Sequence, residues 1–353
     1  MPAYSQGRWQ TLENMKKLAG LLFFFTLACG HGVMQAQTSS TNKSNEIPQQ
    51  RKNVAILIFN GVQIIDFTGP YEVFGQAGYN VFTVAGKLDT ITTHMKLDVL
   101  PKYDFTNHPK PDIIVVPGGG APHRLPSDDP TIAWISATSI KADYILSVCN
   151  GVFFLASAGL LEDKEATTYA PMINHISMHA PNTLPVYDKR FVQSGNIVTA
   201  GGLSAGIDAS LHVVSLDKGV GRATEVANNM EYNWNPTSGY VRSQLADMQL
   251  LNVLDFNPPL LNRKVIKYEG DDTYWICEYE VIRKETLKEF YDQFAQAASM
   301  YRWNKDNESI TKKTILTNWT FTDFNDRTWT CQTQFSTIEN KWNLRLFIDL
   351  KRK

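Results

Sequence analysis

The chain has 353 residues, 43% of them hydrophobic and 20% charged, which is typical of a globular protein of about two domains. The formal net charge is −1 at pH 7 and no block rich in lysine and arginine occurs, so nothing predicts a nucleic-acid partner. The four cysteines are too few and too widely spaced for a disulfide framework or a zinc ribbon, and we predict neither a metal nor a cofactor.

The N-terminus has the pattern of a bacterial export signal. Two lysines precede the apolar run 18–28, which is too short to cross a bilayer that needs about 20 residues. We predict a signal peptide at residues 1–36, and its end has two alternatives: cleavage after Ala36, or lipid attachment at Cys29. The protein is then expected in the periplasm or anchored in the cell envelope, and a lipid on Cys29 is its only predicted membrane contact.

The next segments predict a linker and an α/β domain. Residues 37–51 are dominated by Ser, Thr, Asn and Gln, as in flexible linkers. Short apolar runs then alternate with helical stretches over residues 52–242. The predicted strands are 54–59, 79–85, 112–116, 144–148 and a strand or hairpin at 191–199. The predicted helices are 70–75, 131–139, 150–158, 204–216 and 222–230. This alternation predicts a parallel sheet covered by helices on both faces.

The last hundred residues have a different pattern. We predict a linker at 243–262 and a smaller α+β domain at 263–353, with one amphipathic helix packed on an antiparallel sheet. Its predicted elements are a strand at 274–281, a helix at 284–301 and strands at 310–321, 328–335 and 341–350. Its five tryptophans either build the core or line a ligand groove. Cys277 and Cys331 fall on predicted strands, and both a disulfide between them and two free thiols remain open.

The segment 147–151, with the sequence SVCNG, joins a predicted strand to a predicted helix. This is the nucleophile-elbow pattern, which exposes the central side chain, Cys149, at the C-terminal edge of the sheet. The first N–H groups of the helix are expected to stabilise a thiolate and to lower the pKa of Cys149. The alternative is a buried cysteine that packs as a small apolar residue.

Seven segments, in the family's order, resemble the ThiJ/PfpI superfamily, and its isonitrile hydratase-like branch is the most similar. They are VAILIFNG at 54–61, DFTGPYEVF at 66–74, DIIVVPGGG at 112–120, SVCNG at 147–151, AGLL at 158–161, ATT at 166–168 and TAGGLSAGID at 199–208. The resemblance implies a class I glutamine amidotransferase-like fold, a flavodoxin-like three-layer sandwich around a parallel sheet. It also implies a homodimer.

The same resemblance implies roles for particular residues. Cys149 matches the family's nucleophile. Asp66 matches an acidic residue that approaches the thiol from the end of the first strand and transfers protons, and a carboxyl group in that place should have a raised pKa. Gly119 and Gly120 match a loop whose N–H groups act as oxyanion donors, although a tight turn would also select glycine.

Two positions depart from the family pattern. Asn150 stands where hydratases usually have threonine and proteolytic relatives have histidine, so its predicted role is hydrogen bonding to the reaction intermediate. Tyr169 stands where many relatives have histidine, and we predict it, together with the nearby His175, as a pocket residue.

These observations predict an enzyme in which Cys149 attacks a small electrophile. For an isonitrile, addition of water would give an N-substituted formamide. One alternative is glyoxalase- or deglycase-like chemistry on a reactive carbonyl. Another is a non-catalytic module that binds a small molecule or senses oxidants, which the departures at Asn150 and Tyr169 and the appended C-terminal domain motivate.

Overall fold

The fold is that of a computed structural model, which describes residues 51–120, 129–254, 263–282, 284–338 and 343–353. The predicted signal peptide 1–36 with Cys29, and the predicted linker up to residue 50, lie outside the described residues. None of the helices in the described ranges is long and apolar enough to cross a membrane.

The first domain is built on a mostly parallel sheet. Its described strands are β1 (Asn53–Leu57), β2 (Asn80–Ala85), β3 (Ile91–Thr92), β4 (Asp98–Val99), β5 (Tyr103–Asp104), β6 (Ile113–Val116), β7 (Tyr144–Val148), β8 (Glu165–Ala166), β9 (Leu184–Pro185), β10 (Phe191–Ser194) and β11 (Ile197–Ala200). Seven of them form one sheet in the order β10-β11-β7-β6-β1-β2-β5. All neighbours in it are parallel except the β10–β11 hairpin, which confirms the predicted α/β fold.

Helices cover both faces of this sheet. The described helices are α1 (Ile64–Gln76), α2 (Pro130–Ser139), α3 (Val152–Ser157), α4 (Ile176–His179), α5 (Ser204–Lys218) and α6 (Val220–Asn229). Side chains of α1, α5 and α6 pack in one apolar cluster, and those of α2, α3 and α4 pack in another on the opposite face. The central strands β1 and β6 contribute to both clusters, which is why they are continuous apolar runs in the sequence.

Helix α1 begins earlier than predicted. We expected a helix from Pro70, because proline is common in a first turn. The helix begins at Ile64 instead, and Pro70 lies inside it, where it lacks the N–H that would bond the carbonyl of Asp66. Asp66 therefore lies in the first turn of α1 rather than at the end of the first strand, which corrects the position that the resemblance implied.

The second domain is rich in sheet. Its described helices are α7 (Leu251–Leu254) and α8 (Leu287–Met300). Its described strands are β12 (Arg263–Gly270), β13 (Tyr274–Ile282), β14 (Asn304–Ile310), β15 (Thr314–Thr322), β16 (Thr328–Thr337) and β17 (Asn343–Arg352). They form an antiparallel sheet in the order β12-β13-β17-β16-β15-β14. Helix α8 packs on this sheet through a core that includes four of the five tryptophans; the fifth, Trp342, lies outside the described residues.

Part of the predicted linker 243–262 belongs to the second domain. Ala246, Leu250 and Val253 are buried in its core, and the N–H of Ala246 donates to the carbonyl of Asp271 (2.8 Å). The linker prediction is therefore wrong for the described residues up to 254, because a short apolar segment there packs under the sheet.

Of the two alternatives left open for Cys277 and Cys331, the structure has the second, since both are free thiols. Strand β17 lies between their two strands: Cys277 pairs with Ile348, and Cys331 pairs with Leu350. Two inter-strand spacings of about 4.8 Å each therefore separate the cysteines, whereas a disulfide needs Cα atoms within about 7 Å. Burial raises the pKa of both thiols, that of Cys277 to about 12.

Candidate active site

Cys149 occupies the predicted elbow between β7 and the single 3₁₀ turn Cys149–Gly151 that leads into α3. Its φ angle is +57°, a left-handed conformation that is uncommon for any residue other than glycine. Two hydrogen bonds hold this backbone: the N–H of Cys149 donates to the carbonyl of Gly201 (3.1 Å), and the Thr168 hydroxyl donates to the carbonyl of Cys149 (2.6 Å). Such strain clusters at functional sites.

The Asp66 carboxyl group lies against the thiol and is fully buried. One of its oxygens, Oδ1, accepts from the N–H of Leu203 (3.0 Å), and Oδ2 accepts from the N–H of Gly118 (3.3 Å). A hydrogen bond also joins the carboxyl group to Cys149. Burial raises the pKa of Asp66 to about 6, although these hydrogen bonds favour the charged form and oppose the shift. The raised pKa agrees with the expectation from the sequence.

The prediction of a lowered pKa for Cys149 is wrong. Burial and the negative charge of Asp66 raise the pKa of the thiol above its ordinary value, and the N–H of Asn150 opposes the shift only in part. The single 3₁₀ turn after the cysteine is a weaker source of positive potential than a full helix N-terminus. Above a pH of about 6, the pair is therefore a neutral thiol that donates to a carboxylate.

The glycine loop after β6 does not offer the oxyanion donors that the resemblance implied. The N–H of Gly119 donates to Oδ1 of Asn150 (2.7 Å), and the N–H of Gly120 donates to the carbonyl of Gly61 (2.9 Å). At Gly119 the φ angle is +125°, and a Cβ atom would lie 2.3 Å from the carbonyl oxygen of Gly61. A tight turn against that carbonyl, the alternative we left open, is what requires glycine here.

The side chain of Asn150 holds this loop. Its oxygen accepts the Gly119 N–H bond, and its Nδ2 group lies 3.5 Å from the Gly119 carbonyl. We predicted that this amide would bond to a reaction intermediate, and in the structure its oxygen is already engaged. The backbone N–H of Asn150, in contrast, is a hydrogen-bond donor to the cysteine sulfur.

Tyr169 and the thiol of Cys149 lie on either side of the space that a side chain at Gly202 would occupy. A Cβ atom on Gly202 would lie 3.5 Å from the sulfur of Cys149 and 3.2 Å from Cδ2 of Tyr169. The tyrosine is 44% exposed, so its ring forms part of the rim of the site. The predicted pocket residue His175 has a buried Nδ1 without a hydrogen-bond partner.

Sequence reasoning missed the turn that contains Gly202 and Leu203. The turn carries the carbonyl that binds Cys149, the space beside the sulfur and the N–H that binds Asp66. The segment TAGGLSAGID was part of the resemblance, but we assigned no role to its residues. In the part of the chain that the structure describes, no cluster of three His, Cys, Asp or Glu side chains is suited to a metal.

Comparisons with known proteins show what this chain is similar to. The sequence pattern of the DJ-1/PfpI family matches residues 52–216. An isonitrile hydratase of Pseudomonas putida is 36% identical over 180 residues, which are 51% of this chain and 78% of the hydratase. A deglycase of Pyrococcus horikoshii is 27% identical over 120 residues, which are 33% of this chain and 71% of the deglycase.

Among solved structures, a ThiJ/PfpI family protein from Pseudomonas syringae is similar, with 27% sequence identity and a TM-score of 0.49. The similarity covers 59% of this chain and 85% of that one.

Proposed function

Because the chain belongs to the DJ-1/PfpI family, we propose that Cys149 and Asp66 catalyse the addition of water to an isonitrile. The observation that carries the proposal is the buried carboxyl of Asp66, which two backbone N–H groups hold against the thiol. A thiol beside a base is the arrangement of an activated nucleophile. The relative named isonitrile hydratase supports this choice of electrophile.

The first step forms a carbon–sulfur bond. The thiol proton passes to the Asp66 carboxylate while the sulfur attacks the terminal carbon of the isonitrile. The carboxylic acid then gives this proton to the same carbon, which leaves a thioimidate on Cys149 and an ionised Asp66. A carboxyl group with a pKa of about 6 suits this exchange, because it can both accept and return a proton near neutral pH.

The second step consumes one water molecule. Water attacks the thioimidate carbon, and Asp66 accepts a proton from it and passes that proton to the nitrogen. The carbon–sulfur bond of the tetrahedral adduct then breaks, and the leaving sulfur takes the hydroxyl proton. The products are an N-substituted formamide and the original thiol, so the cycle needs no oxidant or reductant.

Two other functions are supported to different degrees. The same thiol and carboxyl group could attack a reactive carbonyl, and the similarity to a deglycase supports that second candidate. An oxidant sensor is less well supported, because such thiols need a low pKa and good exposure, whereas burial and Asp66 raise the pKa of Cys149.

A substrate panel tests the proposal. Alkyl and aryl isonitriles and small dicarbonyls are incubated with the full chain, and the formyl proton of the product is followed by NMR. We expect formamide from the isonitriles, a loss of at least about 1,000-fold in Cys149→Ala and of about 100-fold or more in Asp66→Asn.

The matched control is Asp143→Asn, which removes a half-exposed carboxylate that pairs with Lys52 outside the site and should leave turnover unchanged. Wild-type turnover of isonitriles by Cys149→Ala would exclude the proposed mechanism. Turnover of dicarbonyls alone would favour the second candidate.

A further inference from the structure

The turn between β11 and α5 holds both members of the reacting pair. The carbonyl of Gly201 accepts from the N–H of Cys149 (3.1 Å), and the N–H of Leu203 donates to Oδ1 of Asp66 (3.0 Å). Gly202 lies between them, beside the sulfur. A displacement of this turn would therefore change the position of the thiol relative to the carboxyl group.

The turn adopts a conformation that needs outside support. Leu203 has φ +57° and ψ −110°, outside the regions that L-residues usually adopt, and it precedes α5 without a capping side chain. Backbone strain of this kind persists only where the surrounding structure enforces it. The contacts that flank the turn should therefore supply this support.

Arg190 makes contacts on both sides of the turn. Its carbonyl accepts from the N–H of Gly201 (2.9 Å), two residues before the strained Leu203. Its guanidinium donates through Nε to Oδ2 of Asp208 (2.5 Å) and through Nη2 to the Ser204 hydroxyl (3.0 Å). Both of these partners lie among the first five residues of α5, which follows the turn. Arg190 thus ties the strand end to the helix start.

The ion pair under this turn is mostly buried. Asp208 is 2% exposed, and its second oxygen accepts from the Tyr232 hydroxyl (2.9 Å). A guanidinium in such a pair is held in a fixed planar geometry by charge-assisted hydrogen bonds. Removal of the Arg190 guanidinium leaves the buried Asp208 carboxylate without its cation, and this disturbs the start of α5.

We propose that Arg190 is a positioning residue for the Cys149–Asp66 pair and acts through the turn 201–203. It touches neither the thiol nor the carboxyl group of Asp66. The inference rests on the proposed function only where turnover is measured, since the geometry of the pair can also be followed through the reactivity of Cys149.

Three full-length variants test the inference. Arg190→Gln removes the cation, and Arg190→Lys keeps a charge without the planar donor set. Tyr232→Phe is the matched control, because it removes a hydroxyl that donates to Asp208 and lies 3.5 Å from the carbonyl of Ser204, and it leaves the Arg190–Asp208 ion pair intact. All three leave Cys149, Asp66 and the glycine loop unchanged.

The first readout is alkylation of Cys149 by iodoacetamide, located by peptide mass spectrometry. Burial, the charge of Asp66 and its hydrogen bond raise the pKa of the thiol, and a looser pair weakens the effect of Asp66, so it should react faster. We expect Arg190→Gln to react about 3- to 10-fold faster at a pH of about 8, Arg190→Lys to be intermediate, and Tyr232→Phe to match the wild type. Circular dichroism of each variant checks that the α/β domain, which contains Arg190 and Cys149, is folded.

The second readout is the pH profile of turnover on an isonitrile. Loss of the Leu203 N–H bond removes a donor to the carboxylate, so the acid limb should move up by about one pH unit. We expect kcat to fall about 10-fold with little change in KM, because geometry rather than binding is altered.

The outcomes separate the two proposals. A folded Arg190→Gln with the alkylation rate of the wild type contradicts the positioning role, whether or not isonitriles react. Faster alkylation in Arg190→Gln but not in Tyr232→Phe supports it, even if the wild type hydrates no isonitrile. If circular dichroism shows that Arg190→Gln is unfolded, Arg190→Lys decides by the same criteria.

Discussion

At the scale of single residues, Asp66 is where stability and reactivity oppose each other. Its carboxyl group is fully buried, and burial raises its pKa from 3.8 to about 6. Burial favours the neutral acid, whereas the proposed reaction needs the carboxylate as a base. The folded protein therefore loses stability over the same pH range in which the pair becomes competent to react.

This opposition predicts the pH dependence of an Asp66→Asn variant. Because the folded pKa is raised, the contribution of Asp66 to stability is fully present below a pH of about 4 and is lost as the pH rises through about 6. Relative to the variant, we expect the free energy of unfolding of the wild type to fall by up to about 3 kcal/mol between pH values of about 4 and 8. Urea unfolding at several pH values measures this difference.

The asparagine also replaces one carboxyl oxygen, which accepts a backbone N–H, with an NH2 group, but this replacement does not itself titrate. The informative quantity is therefore the change in the difference between the two proteins, not its value at one pH. A difference that is the same at every pH would contradict a raised pKa for Asp66.

The sequence predicted the candidate pair of Cys149 and Asp66 but not the hydrogen bonds around it. Cys149 was identified from the elbow pattern, and Asp66 only from the family resemblance. The N–H of Gly120 is engaged because it donates to the carbonyl of Gly61, a contact that only the tertiary fold creates. The raised pKa of Cys149 likewise follows from burial and from the charge of Asp66 on another helix. Neither the sequence pattern nor the spacing of these residues encodes such contacts.

At the scale of elements, the strands that were predicted are those with buried side chains. Strands β1, β6 and β7 are apolar runs because helices cover both faces of the sheet. Strands β12 and β14 were missed, since they lie at the two edges of the second sheet and most of their residues are exposed. Both strands are defined by backbone pairing with a neighbouring strand. Their side chains are not buried on one face, so their sequences lack the alternation of apolar and polar residues that predicts a strand.

Strand order also decides the state of two cysteines. Because β17 separates the strands of Cys277 and Cys331, we expect both to remain thiols even in an oxidising medium. Unfolding in denaturant with iodoacetamide and without reductant should alkylate both residues fully, as judged by peptide mass spectrometry. The same sample treated first with dithiothreitol is the control. A cross-linked peptide containing both cysteines would contradict this strand order.

At the scale of the whole molecule, the boundary between the domains lies before residue 246. The 3₁₀ turn Arg242–Gln244 contacts the first domain, where the amide of Gln244 donates to the carbonyl of Tyr187 (3.2 Å). From Ala246 onward, the chain packs into the core of the second domain. The composition of the sequence changes at Pro258 and Pro259, but the core of the second domain already begins at Ala246. Composition therefore could not place this boundary.

This boundary predicts different stabilities for two fragments. The fragment 243–353 contains Leu250, Val253 and Leu254, which are almost fully buried, whereas the fragment 263–353 lacks them. Burial of one such side chain contributes about 1.5 to 3 kcal/mol, so we expect the shorter fragment to be less stable by about 5 kcal/mol. That loss is as large as the whole free energy of unfolding of many domains. Urea unfolding followed by tryptophan fluorescence compares the two, and equal midpoints would place the boundary after residue 254.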